Sequence, residues 1–298
     1  MIDIAIAYMS GTSHLLRMCL GKLFWYTEPS DFNVVVVMDE SQENDIQDLL
    51  DEYGIQLMLC HVPEEPDSVS TPHQIFLDAV FEQTQGKLFL ALDSDTFVVH
   101  ADWLEALIEN MGDKAVSGIS HCWPEPEGLD EQSMEFRVLT QTCYSMPQAA
   151  CFLVRRSFVE EHELGFGMGD DTCFAISKKA KELGAIGKLL RPSHGVRPEN
   201  EYLFHPEFNR SVGMVFGGMV YHHGGASVKE VKAGARMLSG HFQDSLNKVL
   251  EEGPEFIAGE GYAYRFDREV DVREFRIRAV REQIIEYLTT HERLFRNA

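Results

Sequence analysis

The chain has 298 residues, 44% hydrophobic and 25% charged, a globular balance that excludes a disordered, collagenous or disulfide-framework protein. Against 26 Lys and Arg stand 48 Asp and Glu, a formal net charge of −22. That charge repels phosphate backbones and anionic membranes, which disfavours nucleic acid as a partner in the absence of a local basic patch, and it suits divalent cations.

The six cysteines, Cys19, Cys60, Cys122, Cys143, Cys151 and Cys173, are dispersed without a C-x-x-C pair, as expected of reduced thiols in a cytoplasmic protein. Met1 to Ala7 lacks a basic leader and carries Asp3 inside its apolar run, unlike a secretory signal. No stretch reaches the roughly 18 uncharged apolar residues of a membrane span. The sequence therefore predicts a soluble protein without a membrane span.

In chain order, Ile2 to Met9 reads as a first strand, followed by the small-residue turn Ser10-Gly11-Thr12. Ser13 can cap a helix carrying Leu15, Leu16, Cys19, Leu20 and Leu23 at helical spacing. The β-branched run Val34 to Met38 reads as a strand buried on both faces, as in the middle of a parallel sheet. A helix is expected over Ser41 to Tyr53, ended by Gly54, then a strand over Gln56 to His61. Thr71-Pro72 opens a helix with Ile75, Phe76, Ala79 and Val80 on one face, stopping at Gly86. Leu88 to Leu92 reads as a strand running straight into Asp93-Ser94-Asp95, and Trp103 opens another helix.

Further on, Ala149 to Val154 reads as a strand and Thr172 to Leu183 as a helix closed by Gly184. Arg191 to Gly225 reads as a long functional loop, and Asp271 to Phe295 as a terminal helix rich in alternating charge. Alternating strands and helices predict an α/β fold with a mostly parallel sheet, whose chemistry gathers at the carboxyl ends of the strands. Asp39-Glu40 and Asp93/Asp95 fall there.

Two carboxylates one residue apart after a strand can present oxygen ligands to a hard divalent cation that also holds phosphate oxygens. An acidic surface turn would look the same in isolation. Tyr221-His222-His223-Gly224-Gly225 is a second candidate, because a neutral imidazole can complete a shell of carboxylates and phosphates. A plain glycine turn with exposed histidines is the alternative there.

Strand-Asp39-Glu40-Ser41, then Leu92-Asp93-Ser94-Asp95-Thr96 followed by Asp102-Trp103-Leu104, then Ala150 to Arg156 and Gly167-Met168-Gly169-Asp170-Asp171-Thr172, resemble GT-A glycosyltransferases of the broad family 2 type over about residues 1–190. The resemblance implies a GT-A fold, Rossmann-like, with a mostly parallel central sheet flanked by helices. It implies a catalytic domain over 1–225, split into a nucleotide-sugar half (1–110) and an acceptor half (111–225), with a helical extension over 226–298. It further implies transfer of a single sugar from a nucleotide-diphosphate sugar to a hydroxyl acceptor, with Mn2+ or Mg2+ as cofactor.

Carried over by position, Asp39 contacts the nucleobase or ribose, Asp93 the ribose or metal, and Asp95 the metal bridging the diphosphate. Ser10, Gly11, Thr12 and Ser94 lie along the same nucleotide-sugar edge, and His222 or His223 completes the metal shell. Asp171 is the general base of an inverting displacement, oriented by Asp170. The same two acids would also serve as caps for the helix after them. Processive synthesis is disfavoured, because Trp25, Trp103 and Trp123 lie in no Q-x-x-R-W context. The alternatives are a sugar-phosphate nucleotidyltransferase, which should carry basic residues in its first loop, and a non-catalytic nucleotide- or glycan-binding module.

Overall fold

The computed structural model describes residues 1–63, 71–120, 146–168, 172–196, 204–205, 210–211, 214–223, 251, 253 and 263–265. In chain order the elements are β1 (Ile2–Ala7), α1 (Ser13–Tyr26), β2 (Phe32–Asp39), α2 (Gln47–Tyr53), β3 (Gln56–Cys60), α3 (Thr71–Gln83) and β4 (Leu88–Asp93). They continue with β5 (Thr96–Val98), α4 (Trp103–Met111), β6 (Val116–Ser120), β7 (Pro147–Arg155), α5 (Arg156–Glu161), α6 (Phe174–Glu182) and β8 (Ile186–Leu190). Short strands follow: β9 (Pro192–Val196), β10 (Phe204–His205), β11 (Arg210–Ser211), β12 (Met214–Phe216), β13 (Val220–His222) and β14 (Ala263–Arg265).

The central sheet has seven strands in the order β3-β2-β1-β4-β7-β6-β8. All its pairings are parallel except those of β7, which runs antiparallel to both β4 and β6. This is the α/β architecture, mostly parallel and flanked by helices, that the sequence predicts. Successive residues of a strand point to opposite faces, and the two faces carry separate cores. Ile4, Ile6, Val34, Val36, Leu90 and Leu92 pack against α1, α2 and α4 through Leu15, Leu20, Leu50 and Trp103. Ala5, Val35, Val37, Phe89 and Ala91 pack on the other side against Phe76, Leu77, Val80, Phe158 and Ile176 of α3, α5 and α6.

Three expectations are corrected. The helix predicted from Ser41 begins only at Gln47, because side chains in the preceding segment satisfy backbone groups locally: Asp39 Oδ1 accepts from Ser41 N–H and Asn44 Oδ1 from Ile46 N–H. The position before α1 is held by Thr12, whose hydroxyl donates to Met9 O at 2.7 Å, and Ser13 is the first helical residue. The long loop predicted over Arg191 to Gly225 contains strands of a second sheet, ordered β14-β9-β12-β13-β5 and antiparallel throughout. Its strands have five residues or fewer, too short for a period of two to show in sequence. The boundary expected at 225/226 and the terminal helix expected over 271–295 lie outside the described residues.

A buried polar network ties the start of β1 to α3 and α5. Asp3, 2% exposed, accepts from Gly86 N–H and Asn33 Nδ2. A Cβ at Gly86 would stand 2.5 Å from Asp3 Oδ2, so only glycine allows this approach. The Arg156 guanidinium donates to Gly86 O, Phe81 O and Thr84 Oγ1 at 2.8 to 2.9 Å and lies 3.7 Å from Asp3 Oδ2. Removing one partner of such a pair leaves an uncompensated buried charge, so Arg156→Ala is expected to destabilise the fold by about 3–5 kcal/mol. A denaturant unfolding curve checks it: the midpoint falls substantially, and an unchanged midpoint would refute the coupling.

Candidate functional site

The acid pair sits where the two sheets meet. Asp93 ends β4, Ser94 turns the chain, and Asp95 leads directly into β5. β5 pairs antiparallel with β13, in register Val98 to Val220, Phe97 to Tyr221 and Thr96 to His222. Beyond the last pair, His223 N–H donates to Asp95 O at 3.0 Å. Phe97 and Tyr221, both buried, stack with ring centroids 5.8 Å apart and so hold the register that brings His222 beside the acids.

His222 Nε2 lies 3.6 Å from Asp95 Oδ1 and 3.9 Å from Asp93 Oδ2. One ligand atom each from Asp93, Asp95 and His222 falls within 4.8 Å of the others. Asp95 is 1% exposed, whereas the Asp93 side chain is 28% exposed. Burying a carboxylate is costly unless something compensates it, and a bound cation would do so. Two carboxylate oxygens and an imidazole nitrogen are a donor set that a divalent cation can take.

The structure separates the two histidines. His222 faces the acids. His223, 1% exposed, points into the interior with Nδ1 2.6 Å from the Tyr221 hydroxyl. Burial, reinforced by Asp95, pushes the Tyr221 hydroxyl well above its ordinary pKa, so it stays protonated.

At the neighbouring strand ends the turn after β1 is clasped by the segment after β2. Tyr8 OH donates to Asp45 Oδ1 at 2.6 Å, Gly11 N–H to Asp45 Oδ2 at 3.1 Å, and Ser10 N–H to Gln42 Oε1 at 2.9 Å. Gly11 has φ +88°, a conformation that glycine adopts without strain. Asp39 ends β2 with Oδ1 accepting from Ser41 N–H. Thr12 and Ser94 are buried. These residues line the carboxyl ends of β1, β2 and β4.

Asp170 and Asp171 lie outside the described residues. The helix they were expected to open, α6, begins at Phe174, with buried Cys173 at its cap in the left-handed region at φ +64°. The segment leading to the two acids is anchored by Asp78 of α3, whose Oδ1 accepts from Phe166 N–H at 2.7 Å and Oδ2 from Gly167 N–H at 3.2 Å. A Cβ at Gly167 would stand 3.2 Å from Asp78 Oδ2.

Sequence reasoning missed Tyr8, Gln42, Asp45, Asp78 and His73, whose Nε2 lies 3.4 Å from Asp93 Oδ1. None has a ligand-like spacing. His73 alone carried a signal, standing in the first turn of a helix predicted to precede the acid strand.

Two buried thiols lie under the acids. Cys19 Sγ is 3.9 Å from Asp93 O, and burial with the Asp95 and Asp93 charges raises its pKa strongly. Burial, with Asp93 adding to it, pushes Cys151 up to about 12. Raised thiol pKa values mean the folded chain keeps protons that the unfolded chain releases. The stability they contribute is present below the ordinary thiol pKa of about 8.5 and is lost as pH climbs towards the folded values. Denaturant midpoints are therefore expected to fall from about pH 8 to about pH 11, and to fall less in Cys151→Ala. An identical fall in that variant would remove Cys151 from the account.

No protein-family model matches the chain, and no curated protein matches it. Among solved structures it is similar to S. aureus TarS 1-349 in complex with UDP-GlcNAc, at 15% identity over 63% of this chain and with a TM-score of 0.41. The chain spans 55% of the length of that protein chain. It is also similar to the mannosyltransferase PcManGT from Pyrobaculum calidifontis in complex with GDP-Man and Mn2+, at 12% identity over 98% of this chain and 79% of that one, with a TM-score of 0.44. No helix among the described residues is long and apolar enough to cross a membrane.

Proposed function

We propose that the chain is a metal-dependent GT-A glycosyltransferase that moves one sugar from a nucleotide-diphosphate sugar to a hydroxyl acceptor. The observation that carries this reading is the convergence of Asp93, Asp95 and His222 at the carboxyl edge of a mostly parallel sheet, where α/β folds bind nucleotides.

In this reading Asp93, Asp95 and His222 would hold Mn2+ or Mg2+. When bound, the ion neutralises charge on the departing nucleoside diphosphate. Asp39, at the end of β2, binds the base or ribose, and the Ser10-Gly11-Thr12 turn with Ser94 lines the donor edge. His223 supports the site through its backbone bond to Asp95 and is not itself a ligand. Asp171 takes the acceptor hydroxyl proton as the new oxygen–carbon bond forms and the anomeric carbon–phosphate oxygen bond breaks, with Asp170 orienting it. Displacement from the face opposite the leaving group gives inversion.

The test is turnover of a panel of UDP- and GDP-sugars with Mn2+ or Mg2+, with and without chelator. Chelator-sensitive release of nucleoside diphosphate is the expected result. Release of pyrophosphate from a nucleoside triphosphate and a sugar phosphate would assign a nucleotidyltransferase, and binding of every donor without turnover a binding module; either would overturn the proposal.

A further inference from the structure

Asp93 has an imidazole at each carboxylate oxygen. His222 Nε2 is 3.9 Å from Oδ2, on the side shared with Asp95, and His73 Nε2 is 3.4 Å from Oδ1. Both members of the His73 pair are largely shielded, with side chains 22% and 28% exposed. Among the described residues, the group whose ligand atoms all fall within 4.8 Å of one another takes in Asp93, Asp95 and His222, not His73.

We infer that His73 is a positioning residue of the metal site: its Nε2, 3.4 Å from Asp93 Oδ1, closes to a hydrogen bond on that oxygen when the ion engages Oδ2, and so holds the carboxylate in place. The inference rests on the reading that Asp93, Asp95 and His222 hold a divalent cation. A carboxylate bound through one oxygen is free to rotate unless its other oxygen is tied, and partners that tie it are worth metal affinity. His73 is well placed for this because its helix is fixed. Phe76, Leu77 and Val80 of α3 are buried against the sheet, and Asp78, five residues on, is bonded to the Phe166 and Gly167 N–H groups. A group on a packed helix fixes its partner more closely than one on a loop. The same helix thus touches the metal-side acid at its first turn and the acceptor-side segment at its second.

The experiment is Mn2+ titration of the full chain, followed by electron paramagnetic resonance, in wild type, His73→Leu and His73→Gln, with thermal unfolding as a check on folding. His73→Leu is expected to weaken Mn2+ binding about 10- to 100-fold, and His73→Gln, whose amide N–H can still donate, by only about threefold. Nitrogen couplings on bound Mn2+ are expected to report one imidazole in wild type and in His73→Leu, lost in His222→Ala. Unchanged affinity in a folded His73→Leu, or two coupled imidazoles in wild type, would overturn the positioning role while leaving the metal site standing. No Mn2+ binding by wild type would overturn the metal reading and this inference together.

Discussion

Asp95→Ala is expected to abolish metal-dependent donor turnover while leaving the fold intact. Asp95 is the most deeply buried of the three candidate ligands, at 1% exposure, and its Oδ1 lies nearest His222 Nε2. Its loss removes a ligand and half of the anionic charge that holds the cation. Charge stabilisation by a bound metal amounts to several kcal/mol in the transition state, which corresponds to a rate loss of about 10³-fold or more. Without metal, the variant no longer buries a carboxylate beside Asp93, so its thermal midpoint should equal or exceed that of the metal-free wild type. Donor turnover and unfolding, measured with and without Mn2+, check both halves. Turnover at the wild-type rate would remove Asp95 from the site.

Asp171→Asn should behave in the opposite way. Asparagine keeps the size and polarity of the side chain and cannot accept the acceptor proton. Transfer is expected to fall by about 10²- to 10⁴-fold, the usual contribution of a positioned base, with Mn2+ and donor affinity unchanged. Isothermal titration with donor and a transfer assay on the same preparation separate the two quantities. Equal loss of binding and transfer would place Asp171 in the donor site and remove it as the base.

The difference between these variants follows from the role proposed for each residue, and the sequence showed the basis for those roles unevenly. The first four strands were legible because runs such as Val34 to Met38 and Leu88 to Leu92 can be buried on both faces only inside a parallel sheet. The apolar positions of the first helix were legible too, since all five that its spacing picks out are buried. The acid pair stood out as polar residues closing an apolar strand.

What the sequence did not show depends on long-range pairing. His222 reaches Asp95 because β13 pairs with β5, strands of three residues each and far apart in the chain. Which of two adjacent histidines faces the acids is a matter of strand alternation, and no local pattern reveals a strand that short. The clasp of Asp45 on Tyr8 and Gly11 was hidden for a related reason. The segment after β2 carries helix-compatible residues; Asp39 and Asn44 keep it irregular through local bonds, while Gln42 and Asp45 join it to the turn after β1.

The most direct measurement is a crystal of the chain grown with Mn2+ and a nucleoside diphosphate, with data collected at the manganese absorption edge. The account predicts an anomalous peak bonded to Asp95 Oδ1, Asp93 Oδ2 and His222 Nε2, with diphosphate oxygens on its open side. Nucleotide bound at the carboxyl edge of the sheet, with no peak among these three side chains, would contradict it.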